Sequence, residues 1–145
     1  KKIDKKRFCQ ICTVLCFGLY IVILFQALVI NRQYVIERML IFKCFECYRQ
    51  IINGDVSVAA EVVLNIVLFV PFAVGVYYFV QVVYKKNIKM SRVVLFGFIM
   101  SMCLEVSQLI FKKGFFEIDD LINNTIGCVL GCFIYKKIKK KGGCI

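Results

Sequence analysis

Long apolar runs separated by short charged stretches dominate the chain, in place of the mixed polar and apolar periodicities of water-soluble helices and strands. No charge interrupts the run from Phe8 to Ile30, a second run from about Val56 to Tyr84 is broken only by Glu61, and a third from Val93 to Phe111 contains only Glu105. A fourth, from about Asp119 to Tyr135, is short and begins with polar residues. About 20 mostly apolar residues carry a helix across the roughly 30 Å hydrocarbon layer. The pattern therefore predicts spans over about 8–30, 56–84, 93–111 and 119–135, the fourth viable through packing against the other three. The expected fold is an all-α membrane protein, a bundle of four transmembrane helices forming one domain over residues 1–145.

Between the first two spans, Asn31 to Asp55 is long for a hairpin loop. Charges at Glu37, Arg38, Lys43, Glu46 and Arg49 recur among Ile36, Met39, Leu40, Phe45, Tyr48 and Ile52. That alternation predicts an amphipathic helix lying on the membrane surface, with a short re-entrant helix as the competing reading. Asn53-Gly54-Asp55 is turn chemistry that ends it.

Composition agrees with a membrane location: the 145 residues are 61% hydrophobic and mean hydropathy is +0.79. The net charge of +11 is distributed in blocks. Lys1, Lys2, Lys5, Lys6 and Arg7 precede the first span, Lys85, Lys86, Lys89 and Arg92 separate the second from the third, and Lys136, Lys137, Lys139, Lys140 and Lys141 follow the fourth. These blocks hold 14 basic residues against the single acid Asp4, whereas the other two connections are neutral overall. The positive-inside rule then places both termini in the cytoplasm (N-in/C-in) and makes the segment between the first two spans extracytoplasmic. Orientation accounts for the basic balance, so no nucleic-acid partner is implied; attraction to membrane lipids follows as a secondary effect. The first apolar run is too long for a cleaved signal peptide and lacks an A-x-A-like site, which reads as a retained signal anchor.

Nine cysteines are present, six of them within spans, where the thiol acts as a small apolar group. Cys44 and Cys47 form a C-x-x-C on the extracytoplasmic side, open to a disulfide or a metal, but there is no second pair and no histidine to complete a zinc site.

The polar residues inside the spans carry the candidate chemistry. An ionisable side chain there costs on the order of 2.5–3.5 kcal/mol on insertion scales, so each needs a reason. Glu61 and Asn65 lie four apart in the outer part of the second span, Glu105 and Gln108 three apart in the outer part of the third, and Asp119, Asp120 and Asn124 open the fourth. Three helices thereby bring acids and amides to one level. Capping of the fourth helix by Asp119 or Asp120, and interhelical hydrogen bonding by Glu105 and Gln108, are the structural alternatives to a site. Gly127 and Gly131 form a G-x-x-x-G packing motif, and Pro71 should kink the second span, either widening a cavity or being accommodated by its neighbours.

The residues Asn65-Ile-Val-Leu-Phe69-Val-Pro71 resemble the N-x3-F-x-P signature of VanZ-like membrane proteins. Glu105-Val-Ser-Gln108, followed by Asp119-Asp120-Leu-Ile-Asn-Asn124-Thr125-Ile-Gly127, is similar to that family's E-x-x-Q and D-D-x-x-x-N-T-x-G blocks in order and spacing. The match extends over about residues 58 to 135. Ala73 stands where a glycine is expected after the proline, Glu117 where aspartate is common, and Phe115 where an arginine follows Gly114. With that last change the chain either lacks the cation or takes it from Lys112, Lys113 or Arg49. The resemblance implies a protein of the bacterial cytoplasmic membrane, in a family named for low-level resistance to teicoplanin.

Three functions compete. The first is binding, or modification, of a lipid-linked cell-wall intermediate or a lipid-inserted lipoglycopeptide at the outer leaflet, with Glu105 as base or anchor, Asp120 as its partner, and Gln108 and Asn124 orienting the head group. The second is a divalent-cation site, since an all-oxygen set suits Mg²⁺ or Ca²⁺; no other cofactor is evident. The third is a non-enzymatic accessory subunit whose polar groups hold helices together.

Overall fold

The computed structural model describes residues 4–36, 40–41 and 44–141; Lys1, Lys2, Glu37, Arg38, Met39 and Lys43 lie outside them. Helix α1, Lys5–Phe25, starts at Asp4, whose carboxylate accepts the Lys6 N–H at 3.4 Å, and it continues as a π-helical turn over Gln26–Ile30. After a short strand β1 (Leu40–Ile41) and a helix α2 (Glu46–Ile52) comes α3, Val56–Tyr84. Asp55 caps α3 by accepting from the N–H groups of Ser57 and Val58 at 3.0 and 3.3 Å, which supplies partners that a helix N-terminus otherwise lacks. Helix α4 spans Met90–Phe111, strand β2 Phe116–Glu117, and α5 Ile118–Lys141.

Three of these stretches are long and apolar enough to cross a membrane: Lys5–Ile30, Val56–Tyr84 and Met90–Phe111. They match the first three predicted spans to within three residues. Helix α5 contains the predicted fourth segment and extends beyond it; acids and amides at its start and lysines at its end keep its average hydropathy low.

The α3–α5 contact is the most extensive in the molecule, followed by α4–α5 and α1–α3. Phe69, Phe72, Ala73 and Val76 of α3, Leu104 of α4, and Cys128 and Cys132 of α5 form the core with Leu24, Leu28 and Val29. Small residues permit the approach of α5. A Cβ on Gly127 would stand 2.3 Å from the Ile66 carbonyl oxygen, and one on Gly131 would stand 2.3 Å from that of Val70, so the G-x-x-x-G motif lies against the backbone of α3. Helix α1 packs chiefly on α3 and leaves Phe8, Leu15, Leu19 and Val22 exposed, the outward apolar face expected of a helix in lipid.

Pro71 interrupts no part of α3, which runs through it. It lines an open groove of about 360 Å³ between α1 and α3, beside Cys12, Cys16 and Gly75. The Tyr20 hydroxyl donates to the Leu68 carbonyl one turn before the proline.

The connection between α1 and α3 departs from the expected surface helix. Among its described residues helical structure forms over Glu46–Ile52 alone, and Leu40–Ile41 is extended, pairing in parallel with β2 in a register that sets Leu40 opposite Phe116 and Ile41 opposite Glu117. Tyr34 makes a further antiparallel bridge to Lys113, and the Val35 N–H donates to the Lys112 carbonyl at 2.9 Å. Backbone pairing to the α4–α5 connection satisfies groups that a free amphipathic helix would have bonded internally, so the segment lies across the bundle end as a strap.

Candidate functional site

The π-helical turn that ends the first apolar run fixes the geometry beneath this strap. Its wide turn closes with Asn31 N–H donating to the Gln26 carbonyl at 3.0 Å, and the Leu28 carbonyl, without a helical partner, accepts from Gln108 Nε2 at 2.9 Å. The same Nε2 lies 3.3 Å from Glu105 Oε1, and Glu105 Oε2 accepts the Glu117 backbone N–H at 3.1 Å. Glu105 and Gln108 are each 1% exposed. They tie the end of α1 and strand β2 to α4. Gly114, at φ +101°, turns the chain within reach of both Gln108 and Arg32; a Cβ there would meet Gln108 Oε1 at 3.1 Å.

Arg32, two residues beyond the apolar run, extends its guanidinium between two helices. Nη2 meets Asp120 Oδ2 at 2.8 Å and Nη1 meets Glu61 Oε2 at 3.1 Å. Burial works against its charge, but Asp120, then Glu61, Glu105 and Glu117 outweigh that effect and raise its pKa above the ordinary arginine value. The cation facing the carboxylates is therefore Arg32. Arg49 pairs at 2.7 Å with Glu46 on its own helix instead.

Asp119 is a cap, though not of its own helix. It accepts from the N–H groups of Phe45 and Cys47 at 2.6 and 2.9 Å, closing the start of α2. Burial and the adjacent Asp119 carboxylate push the Cys47 thiol up to about 12, so at neutral pH the C-x-x-C holds no thiolate at that position. Tyr48 donates its hydroxyl to Asn123 Oδ1 at 2.5 Å. Asn124 Nδ2 donates to Ser101 Oγ at 2.8 Å.

A cleft of about 90 Å³ lies between α2, α3 and the start of α5, lined by Glu46, Gln50, Glu61, Glu117, Asp119 and Asp120. Glu105, Gln108 and Asn124 stand behind it and do not line it. Burial first, and then Asp120, raise the Glu117 carboxyl to about 7, with Arg32 opposing. Among the described residues, no three acid or thiol groups converge closely enough to hold a metal ion. Four buried atoms at this end have no hydrogen-bond partner among the described residues: Asn65 Nδ2, Gln108 Oε1, Asn123 Nδ2 and Asn124 Oδ1.

The VanZ/LLP1 family model matches residues 11–139. The chain belongs to the VanZ/LLP1 family. No match was found among curated proteins or among solved structures.

In this VanZ/LLP1 chain the two motif blocks meet in space, with Phe69 of the first against Gly127 of the second. Of the predicted site residues, Glu61, Asp119 and Asp120 line the cleft, while Asn65, Glu105, Gln108 and Asn124 are buried around it. Sequence reasoning missed Arg32, Tyr48 and Ser101, and noted Glu117 only as a departure from pattern. The available signal for Arg32 was its place as the first charge after an uncharged run of 24 residues.

Proposed function

We propose that this VanZ/LLP1 protein is a four-span protein of the bacterial cytoplasmic membrane, a single domain with both termini inside. Helix α5 serves as the fourth span, and the acidic cleft opens at the outer leaflet. Its function on this reading is to bind the head group of a lipid-linked or lipid-inserted amphiphile there, and through that to alter susceptibility to glycopeptides such as teicoplanin. The alternation of basic blocks supports the orientation. Packing of the G-x-x-x-G face on α3 supports a membrane location for α5, because partners in the bundle compensate its polar start.

The observation that carries the reading is the lining of the cleft: five carboxylates line one small opening, and the two guanidiniums that reach them, Arg32 and Arg49, are already paired with Glu61, Asp120 and Glu46. Such a lining attracts an amine or another hydrogen-bond donor and repels a bare phosphate. Glu61, Glu117 and Asp120 would meet the head group, with Glu105 and Gln108 positioning the strand that carries Glu117. No covalent step is assigned.

The test is teicoplanin susceptibility of cells carrying the chain with Glu61→Gln and Glu117→Gln together. The change should be lost at unchanged membrane abundance. Unaltered susceptibility, or loss that follows abundance, sinks the reading. The second outcome would favour an accessory role without a ligand, which the internal bonds of Asp119, Asn123 and Asn124 also favour.

A further inference from the structure

The opposite end of the bundle has the reverse electrostatics. Between the end of α3, the α3–α4 connection and the last turns of α5 lies a cavity of about 260 Å³, lined by Tyr77, Gln81, Lys86, Asn87, Tyr135, Lys136 and Lys139 with Ile88. No carboxylate is in that lining. Its floor is aromatic and rigid: the Tyr77 and Tyr135 rings stack at 4.1 Å with 4° between their planes, and the Tyr135 hydroxyl donates to Gln81 Oε1 at 2.6 Å. Its rim is cationic. Lys139 Nζ donates to the amide oxygen of Asn87 at 3.2 Å, and Lys136 Nζ donates to the thioether of Met90 at 3.4 Å, a weak acceptor. The one acid of the neighbouring basic blocks, Asp4, faces the start of its own helix.

Uncompensated charge extends past the cavity. The Lys85 ammonium titrates below the ordinary lysine range because Lys6 lies against it. An anion near these two cations would relieve their repulsion.

We propose that this cavity is a binding site for the phosphate of an anionic phospholipid, with Lys86, Lys136 and Lys139 around the phosphate and the tyrosine floor beneath the glycerol and first acyl carbons. Basic pockets between membrane helices favour such head groups, and the aromatic floor with a charged rim matches the change from acyl chain to phosphate at the membrane interface. A lipid held there would join α5 to the α3–α4 connection through its charge. The site is independent of the acidic cleft and of its ligand.

The experiment uses the full chain in a neutral detergent, with thermal unfolding followed in added phosphatidylglycerol, in phosphatidylcholine, and in soluble glycerol 3-phosphate. Phosphatidylglycerol should raise the midpoint well above phosphatidylcholine. Each lysine contributes roughly a fivefold factor in binding, so Lys86→Gln, Lys136→Gln and Lys139→Gln together should weaken it on the order of a hundredfold. Lys5→Gln, Lys137→Gln and Lys140→Gln remove the same charge outside the cavity and should leave the preference in place. Equal loss in both triple variants overturns the site in favour of diffuse attraction, and a full shift with glycerol 3-phosphate alone overturns the lipid as its occupant. If the first triple variant fails to accumulate, native mass spectrometry of the wild-type chain decides, and a preference for phosphatidylglycerol under about twofold overturns the proposal.

Discussion

Arg32 Nη2 and Asp120 Oδ2 stand 2.8 Å apart although 88 positions separate the two residues in the chain. The partners are 18% and 8% exposed in their side chains, whereas Glu61, on the other arm of the guanidinium, is 52% exposed. Water screens the second pair far more than the first.

The two arms should therefore differ in energy. Removing one partner of a largely buried pair leaves the other charge uncompensated and costs on the order of 3 kcal/mol, so Arg32→Gln should lower the unfolding midpoint markedly. Adding Asp120→Asn should recover part of that loss. Glu61→Gln should cost less than about 1 kcal/mol. Thermal unfolding of the single and double variants in detergent measures the coupling; additive effects of Arg32→Gln and Asp120→Asn would show that the pair is not a unit.

Glu117 predicts a pH dependence with a definite sign. Its carboxyl is raised from 4.5 to about 7, by burial first and then by Asp120. As pH rises past 4.5 the unfolded chain ionises this group while the folded chain keeps it protonated, so the folded state loses stability up to about pH 7 and no further above it. Glu117→Gln removes this contribution. The midpoint of the variant minus that of wild type should thus grow from pH 4.5 to 7 and then level off. A difference that is flat, or that shrinks over this window, contradicts the assigned environment.

Asp119 should govern the accessibility of Cys47. Cys47 is 7% exposed, and its backbone N–H is one of the two held by the Asp119 carboxylate. Asp119→Ala removes a cap of about 1 kcal/mol and should let α2 detach locally. In a Cys44→Ser background, labelling of Cys47 by a membrane-impermeant maleimide at pH 7.5 should rise several-fold. Unchanged labelling would mean that other contacts hold α2 in place.

Much of this fold is legible in the order of the residues, because lipid imposes a single strong rule on helix length. The boundaries of α3 follow directly from Asp55, a capping side chain before a long apolar run, and from Lys85 after it. The meeting of Gly127 with Ile66 follows from a packing motif whose partner helix the sequence does not name. The strap was illegible for a physical reason. Its pattern of charges fits an amphipathic helix, but two residues of backbone pairing with Phe116–Glu117 decide its path, and such pairing carries no periodicity of its own. Arg32 was obscured likewise, since a charge beyond a span reads as solvated until the turn before it is known to be π-helical.

The strap also sets an order of events during synthesis. Leu40–Ile41 emerges from the ribosome long before Phe116–Glu117, and Arg32 long before Asp120, so neither junction can close until the start of α5 has been made. Until then the segment after the first apolar helix lacks these partners and is open to a protease. Closure of the strap thus reports that synthesis has reached the first turn of α5.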